Sequence, residues 1–124
     1  MNSMDVFEAI NGRRSVREFR EDKPVEEEKL QKILGACRAS PSAHNSQPWE
    51  LIIIRDKEVL KEIGKQAANA QFLAKVPLAV AIVTDPKASP SWHMVDGALL
   101  TQNFALAAHA LGLGTCWVGS QGSG

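Results

Sequence analysis

Three short stretches carry side chains suited to gripping a small ligand. The first is Ser40-Pro41-Ser42-Ala43-His44-Asn45-Ser46-Gln47-Pro48-Trp49, in which two prolines bracket six residues, five of them polar. Each proline fixes φ and removes a backbone donor, so neither a helix nor a central strand can run through the segment. A rigid polar turn feeding an apolar run aims its hydrogen-bonding groups outward from a fixed scaffold. The second stretch is Arg13-Arg14-Ser15-Val16-Arg17-Glu18-Phe19, with three guanidinium groups in five residues. Each offers a planar fork of donors suited to a phosphate or to the carbonyl edge of a ring. The third is Gly112-Leu113-Gly114-Thr115-Cys116-Trp117-Val118-Gly119, a short apolar run between glycines. Plainer readings stand beside the first two: an ordinary turn between elements, and a solvated turn balanced by Glu18, Glu21 and Asp22.

Other chemistries lack their residues. No Gly-x-Gly-x-x-Gly opens a helix after a strand, and there is no Gly-x-Ser-x-Gly elbow. Cys37 and Cys116 are the only cysteines and form no Cys-x-x-Cys; both read as buried thiols rather than a disulfide. His93 and His109 are too far apart to make a metal site by themselves. His44 is read as a structural hydrogen-bonding group rather than a proton donor. No residue is therefore expected to be catalytic in the strict sense, and no metal is expected.

Taken in order, the three stretches resemble motifs of the nitroreductase family of FMN-dependent oxidoreductases. The turn is similar to that family's Pro-Ser-x-x-Asn-Ser-Gln-Pro-Trp turn, the arginine run to its N-terminal flavin-binding run, and the last stretch to the strand and turn after its long central helix. The resemblance implies an α+β fold, with a small mixed sheet flanked by helices and a long apolar helix at a homodimer interface. It implies an FMN-dependent enzyme that passes hydride from NADH or NADPH through flavin N5 to a nitroaromatic, quinone or similar electrophile in a ping-pong cycle. It also assigns roles. Arg13 and Ser15, in the run that includes Arg14, approach the phosphate, and Arg17 the N1/O2 edge. Ser42, Asn45 and Gln47 contact the flavin or its ribityl chain, and Gln71 serves the pyrimidine edge. Gly119 and Ser120 present N–H groups to N5 and O4. Family members run on past the end of this chain with a further strand and a segment carrying a basic pair for the phosphate. The chain is expected to be one nitroreductase-like domain over residues 1–124, short at its C-terminus. The rival expectation is a truncated, non-catalytic dimer that binds flavin or has lost it.

Composition is consistent with an ordinary globular protein. The chain has 124 residues, 44% hydrophobic and 23% charged. Fourteen basic and fourteen acidic side chains cancel, so no overall field draws in nucleic acid or an anionic membrane. No apolar run approaches the roughly 20 residues needed to span a bilayer, and Met1 to Asp5 does not read as a secretory signal. The expectation is a cytoplasmic protein.

The elements that must position the three stretches follow from periodicity and caps. Ser3 is placed to cap a helix over Asp5–Ile10, with Val6, Phe7 and Ile10 on one apolar side and Gly12 as a left-handed stop. Pro24 opens a second helix with Glu26, Glu27 and Glu28 in its first turn and Leu30, Ile33, Leu34 and Cys37 at helical spacing. Leu51–Ile54 and Leu78–Val83 read as buried strands. Between them Asp56 caps a helix with Val59, Leu60 and Ile63 in its stripe, followed by an irregular stretch containing Asn69, Gln71, Phe72 and Lys75. Ser91 is placed to cap a long helix over Trp92–Leu111. From Gly97 on it is apolar or small nearly all round, with Thr101, Gln102, Asn103 and His109 as exceptions. Such a helix must be covered on every side, which a chain of this size does most simply by pairing with a second copy, the plainer reading being a central core helix in a monomer. Thr115–Val118 is expected as a third strand.

Overall fold

The computed structural model describes residues 4–119. Among them four α-helices and two strands occur in the order α1 (Val6–Gly12), α2 (Glu27–Arg38), β1 (Trp49–Ile54), α3 (Lys57–Gln66), β2 (Ala79–Thr84) and α4 (His93–Ala110). Short 3₁₀ turns at Ala43–Asn45 and Gln71–Lys75 lead into the two strands. The fold is α+β.

The helices start where side chains can satisfy their free N–H groups. Asp5 accepts from Glu8 N at the head of α1, and Asp56 accepts from both Glu58 N and Val59 N at the head of α3. The cap of α1 is thus Asp5; Ser3 lies outside the described residues. α4 begins after Trp92, without a side-chain cap from Ser91. Gly12 is the last residue of α1 and is not left-handed; the glycine at positive φ is Gly112, at the end of α4. Gly12 has another use. A Cβ there would lie 2.9 Å from His109 Nε2, so a side chain at this position would push the imidazole of α4 aside.

β1 and β2 form an antiparallel pair with Trp49 opposite Thr84 and Leu51 opposite Ile82. Side chains alternate between faces. Trp49, Leu51 and Ile82 pack on a core of Ile33, Cys37, Leu100 and Ala108 beneath α2 and α4. Ile54 and Ala79 pack on a second core of Leu60, Ala70, Leu73 and Val76. Ile52 and Val83 are exposed, so the strands are not covered on both faces as their continuous apolar runs suggested. Thr115–Val118 is not a strand. It contributes a single parallel bridge, Ser15 to Thr115, through Val16 N–H donating to Thr115 O at 2.8 Å. Val118 then packs against the second core, and Trp117 stays 72% exposed.

The expected apolar side of α1 points outward. Phe7 is 71% exposed, and Val6 and Ile10 are also open. On α4, Leu100 and Ala108 are fully covered while Met94, Val95 and Leu99 are not. Neighbouring helices thus each leave an apolar surface uncovered. Cys37 is buried and Cys116 half-buried; both are free thiols. Burial pushes the Cys37 thiol up to about 11, against a smaller downward pull from Arg38, so it is a protonated packing group at neutral pH.

Candidate functional site

The parallel bridge sets the geometry of the site. By pairing Ser15 with Thr115 it lays the arginine run beside the stretch after α4. The cleft between them, about 190 Å³, is lined by Arg13, Ser15, Thr115 and Trp117, with Ala98, Thr101, Gln102 and Ala105 of α4 as its floor. Residues 98, 101, 102 and 105 share one side of a helix by their three- and four-residue spacing. The lining combines a cation, three hydroxyls and an amide with a smooth wall of alanines and an indole. Thr101 Oγ1 donates to Gly97 O at 2.7 Å, which leaves its oxygen lone pairs available to the cleft.

Arg13 sits at the C-cap of α1, its N–H donating to Ala9 O at 3.0 Å. The negative end of the helix dipole favours a cation there. The ion pairs among the described residues are Lys29–Glu26, Lys32–Glu28 and Arg55–Glu27. Arg13, Arg14 and Arg17 take part in none of them, so Glu18, Glu21 and Asp22 do not neutralise the cluster by contact. Arg14 and Arg17 are exposed and do not line the cleft.

The polar turn is a separate piece of architecture, held in unusual backbone conformations. His44, Asn45 and Gln47 all have positive φ, at 55°, 53° and 48°. Non-glycine residues in the left-handed region each cost on the order of 1–3 kcal/mol and persist where their surroundings over-determine them. The surroundings here do so. Ser42 Oγ accepts from Gln47 N at 3.0 Å, Asn45 Oδ1 accepts from Gln47 Nε2 at 2.9 Å, and Pro48 O accepts from Asp85 N at 2.8 Å. Asn103 on α4 donates to Ser40 Oγ at 2.9 Å, and Asp96 on α4 accepts from Ala43 N. The Ser46 hydroxyl is buried without a hydrogen-bond partner among the described residues.

Of the residues singled out by sequence, Arg13 and Ser15 meet in the first cleft. Gln47 lines a different one, about 460 Å³, at the end of the sheet with Trp49, Glu50, Thr84 and Asp85. Ser42 is half-buried and Asn45 exposed; neither lines the Arg13 cleft. Gln71 is exposed in the 3₁₀ turn packed beside α3 and lines neither cleft. Gly119 is exposed, and a Cβ there would lie 2.9 Å from the Trp117 ring. Ser120 lies outside the described residues. His44 makes no side-chain hydrogen bond within the described residues, so it does not brace the turn as expected; its part is the left-handed backbone. Sequence reasoning missed Asp96, which is 2% exposed. The signal was present: it is the one charged residue of the eighteen in α4. No group of three His, Cys, Asp or Glu among the described residues could hold a metal ion. No helix among them is long and apolar enough to cross a membrane.

The α+β fold is shared with known proteins. The sequence profile of the Nitroreductase family matches residues 10–85 and 65–121, and the chain belongs to that family. A Methanothermobacter thermautotrophicus protein, provisionally named NADH dehydrogenase/NAD(P)H nitroreductase, is 37% identical over 121 residues, which is 96% of this chain and 63% of that protein. The solved structure of an FMN-dependent nitroreductase from Clostridium difficile superposes with a TM-score of 0.88 at 34% identity, over 94% of this chain and 68% of that one. A provisionally named nitroreductase from Desulfovibrio desulfuricans, solved in complex with FMN, superposes at 0.85 with 29% identity, over 95% of this chain and 70% of that one. The chain therefore spans roughly two thirds of the length of these relatives.

Proposed function

We propose that the chain binds FMN and works as an NAD(P)H-dependent oxidoreductase acting on a nitroaromatic, quinone or similar electrophile. The observation that carries this reading is the cleft in which Arg13 and Ser15 face Thr115 and Trp117 across α4. Its donors fit the group. An arginine without a carboxylate partner among the described residues suits a phosphate, hydroxyls and an amide suit a ribityl chain, and an alanine wall suits a flat ring. When bound, FMN supplies the hydride chemistry, receiving it from the nicotinamide and delivering it to the acceptor. The chain's own residues bind, orient and exclude water. Arg13 would hold negative charge at one end of the cleft. The resemblance assigns Arg17 to the ring edge where charge develops on reduction, Gly119 with Ser120 to N–H donation to the ring, and Gln71 to its pyrimidine edge, but Arg17 and Gln71 do not line the cleft of the single chain and do not count toward the fit.

The polar turn does not open into the Arg13 cleft of its own chain. A second copy related by a two-fold axis would bring the turn of one protomer to the cleft of the other, placing Ser42, Asn45 and Gln47 on the cofactor. The uncovered sides of α1 and α4 supply the surface for such a dimer. Leu99→Asp, at a position 43% exposed in the single chain, is expected to convert a dimer to a monomer while far-UV circular dichroism stays unchanged. Light scattering that still gives the dimer mass would remove α4 from the interface.

Turnover tests the functional reading directly. NADH or NADPH oxidation is expected to require bound FMN and an acceptor together, with parallel lines in double-reciprocal plots as acceptor concentration is varied. No acceptor-dependent oxidation by protein supplied with FMN would reject the reading in favour of a dimer that no longer turns anything over.

A further inference from the structure

Asp96 is a carboxylate placed where water does not reach. It is 2% exposed, in the first turn of α4. Its two oxygens lie 3.2 and 3.3 Å from a single donor, the backbone N–H of Ala43. No other bond to its side chain occurs among the described residues. A buried anion served by one N–H is expensive to keep, and an apolar residue of similar size would fill the site at less cost.

Its partner explains why the position is charged. Ala43 opens the 3₁₀ turn inside the polar segment. The residue before a helical turn ordinarily caps it with its own side chain. Ser42 stands in that place but makes no cap bond, because its hydroxyl accepts instead from Gln47 N at the other end of the loop. A capping side chain reaches the second or third N–H of a turn and not the first, so the Ala43 N–H has no local acceptor in either case, and Asp96 supplies one from 53 residues away. Seven residues along the same helix, Asn103 holds Ser40. α4 therefore grips the loop at two points about two helical turns apart. It carries Ala98, Thr101, Gln102 and Ala105 of the Arg13 cleft as well.

We propose that Asp96 is a positioning residue. It acts as the external cap that fixes the left-handed Ser42–Gln47 loop relative to α4, and so fixes Ser42, Asn45 and Gln47 for contact with the flavin. The proposal rests on the flavin reading above. Two substitutions break the bond from opposite ends. Asp96→Ala removes the acceptor. Ala43→Pro removes the donor at a position where proline is tolerated, following a Ser42 already extended at φ −146°, ψ 153°, as a residue before proline prefers. Asp96→Asn keeps an acceptor oxygen and discards the charge.

FMN affinity would be read by fluorescence titration of the flavin-free full chain, and amide exchange over residues 42–47 followed in the same samples. Asp96→Ala and Ala43→Pro are each expected to bind FMN about tenfold more weakly or worse, and the double variant no worse than either single. Asp96→Asn is expected to stay within about threefold of wild type, a rescue that loss of general stability would not produce. Affinity equal to wild type in Asp96→Ala, or an Asn variant as weak as the Ala variant, overturns the proposal. If Asp96→Ala does not fold, Ala43→Pro against wild type decides in its place. Failure of wild type itself to take up FMN would sink the flavin reading separately. Exchange then decides the positioning claim: fast exchange at Ala43 in the broken-bond variants with protection in wild type supports it, and equal exchange overturns it.

Discussion

Arg13→Ala is expected to weaken FMN binding by about tenfold to a hundredfold, the range for a lost charge-assisted hydrogen bond of roughly 1.5–3 kcal/mol. Arg13 lines the cleft, and it has no ion-pair partner among the described residues, so its removal breaks no internal bridge. The melting temperature of the flavin-free protein should therefore change little. Arg14 provides the internal comparison. It carries the same charge one residue away but is exposed and does not line the cleft. Arg14→Ala should cost less than about threefold, as expected of an exposed charge in high dielectric. Fluorescence titration of both variants separates a positioned cation from a general positive field. Equal losses at the two positions would mean a general field, and no loss at Arg13 would remove it from the site.

Leu100→Ala is expected to be the most damaging single truncation in the fold. Leu100 is 0% exposed, packed with Ile33, Cys37 and Ala108 and walled by Trp49, Leu51, Ile82 and Phe104. Removing three buried carbons leaves a cavity between α2, α4 and the sheet, at a cost of about 2–5 kcal/mol. For a chain of this size that corresponds to a fall of roughly 8–20 °C in melting temperature. Leu100→Met, which conserves volume, should cost less than about 1.5 kcal/mol. The effect reaches function because α4 holds the polar turn through Asp96 and Asn103 and floors the Arg13 cleft through Thr101 and Gln102. Calorimetric scans of the two variants test this. An alanine variant melting within about 2 °C of wild type would show that the first core is not what fixes α4.

The sequence made the elements legible where a local rule decides them. Asp56 caps α3 because its side chain reaches two N–H groups of its own first turn, and Leu30, Ile33 and Cys37 are buried as their spacing requires. Rules that depend on distant partners were not legible. Thr115–Val118 reads as a strand by composition, yet whether a ladder forms depends on which segment lies alongside, and only Ser15 does. Gly12 looks like a helix stop, but what a side chain there would meet is an imidazole 97 residues later in the chain, a separation that follows from positions 12 and 109.

The same division applies to the site. Arg13 and Ser15 stand out because a dense cation cluster on a neutral chain is visible in one window. The polar residues of α4 were noticeable as interruptions of an apolar helix, but their targets were not. Asn103 turns toward Ser40, Gln102 toward the cleft, and His109 against Gly12. Each assignment needs the helix's rotation against its neighbours. Asp96 was harder still, because a lone carboxylate near a helix start is ordinarily a solvated one, and its acceptor role exists only once the polar turn folds over it.

The central claim is that the cleft between the arginine run and the stretch after α4 holds FMN. The visible absorption spectrum of the purified protein tests it most directly, followed by acid release and chromatography of any chromophore. The expected result is a flavin spectrum, acquired in the cell or on adding FMN, with stoichiometric release of FMN. A colourless protein that also fails to take up added FMN would contradict the claim, and would leave a chain that keeps the family's fold without its cofactor.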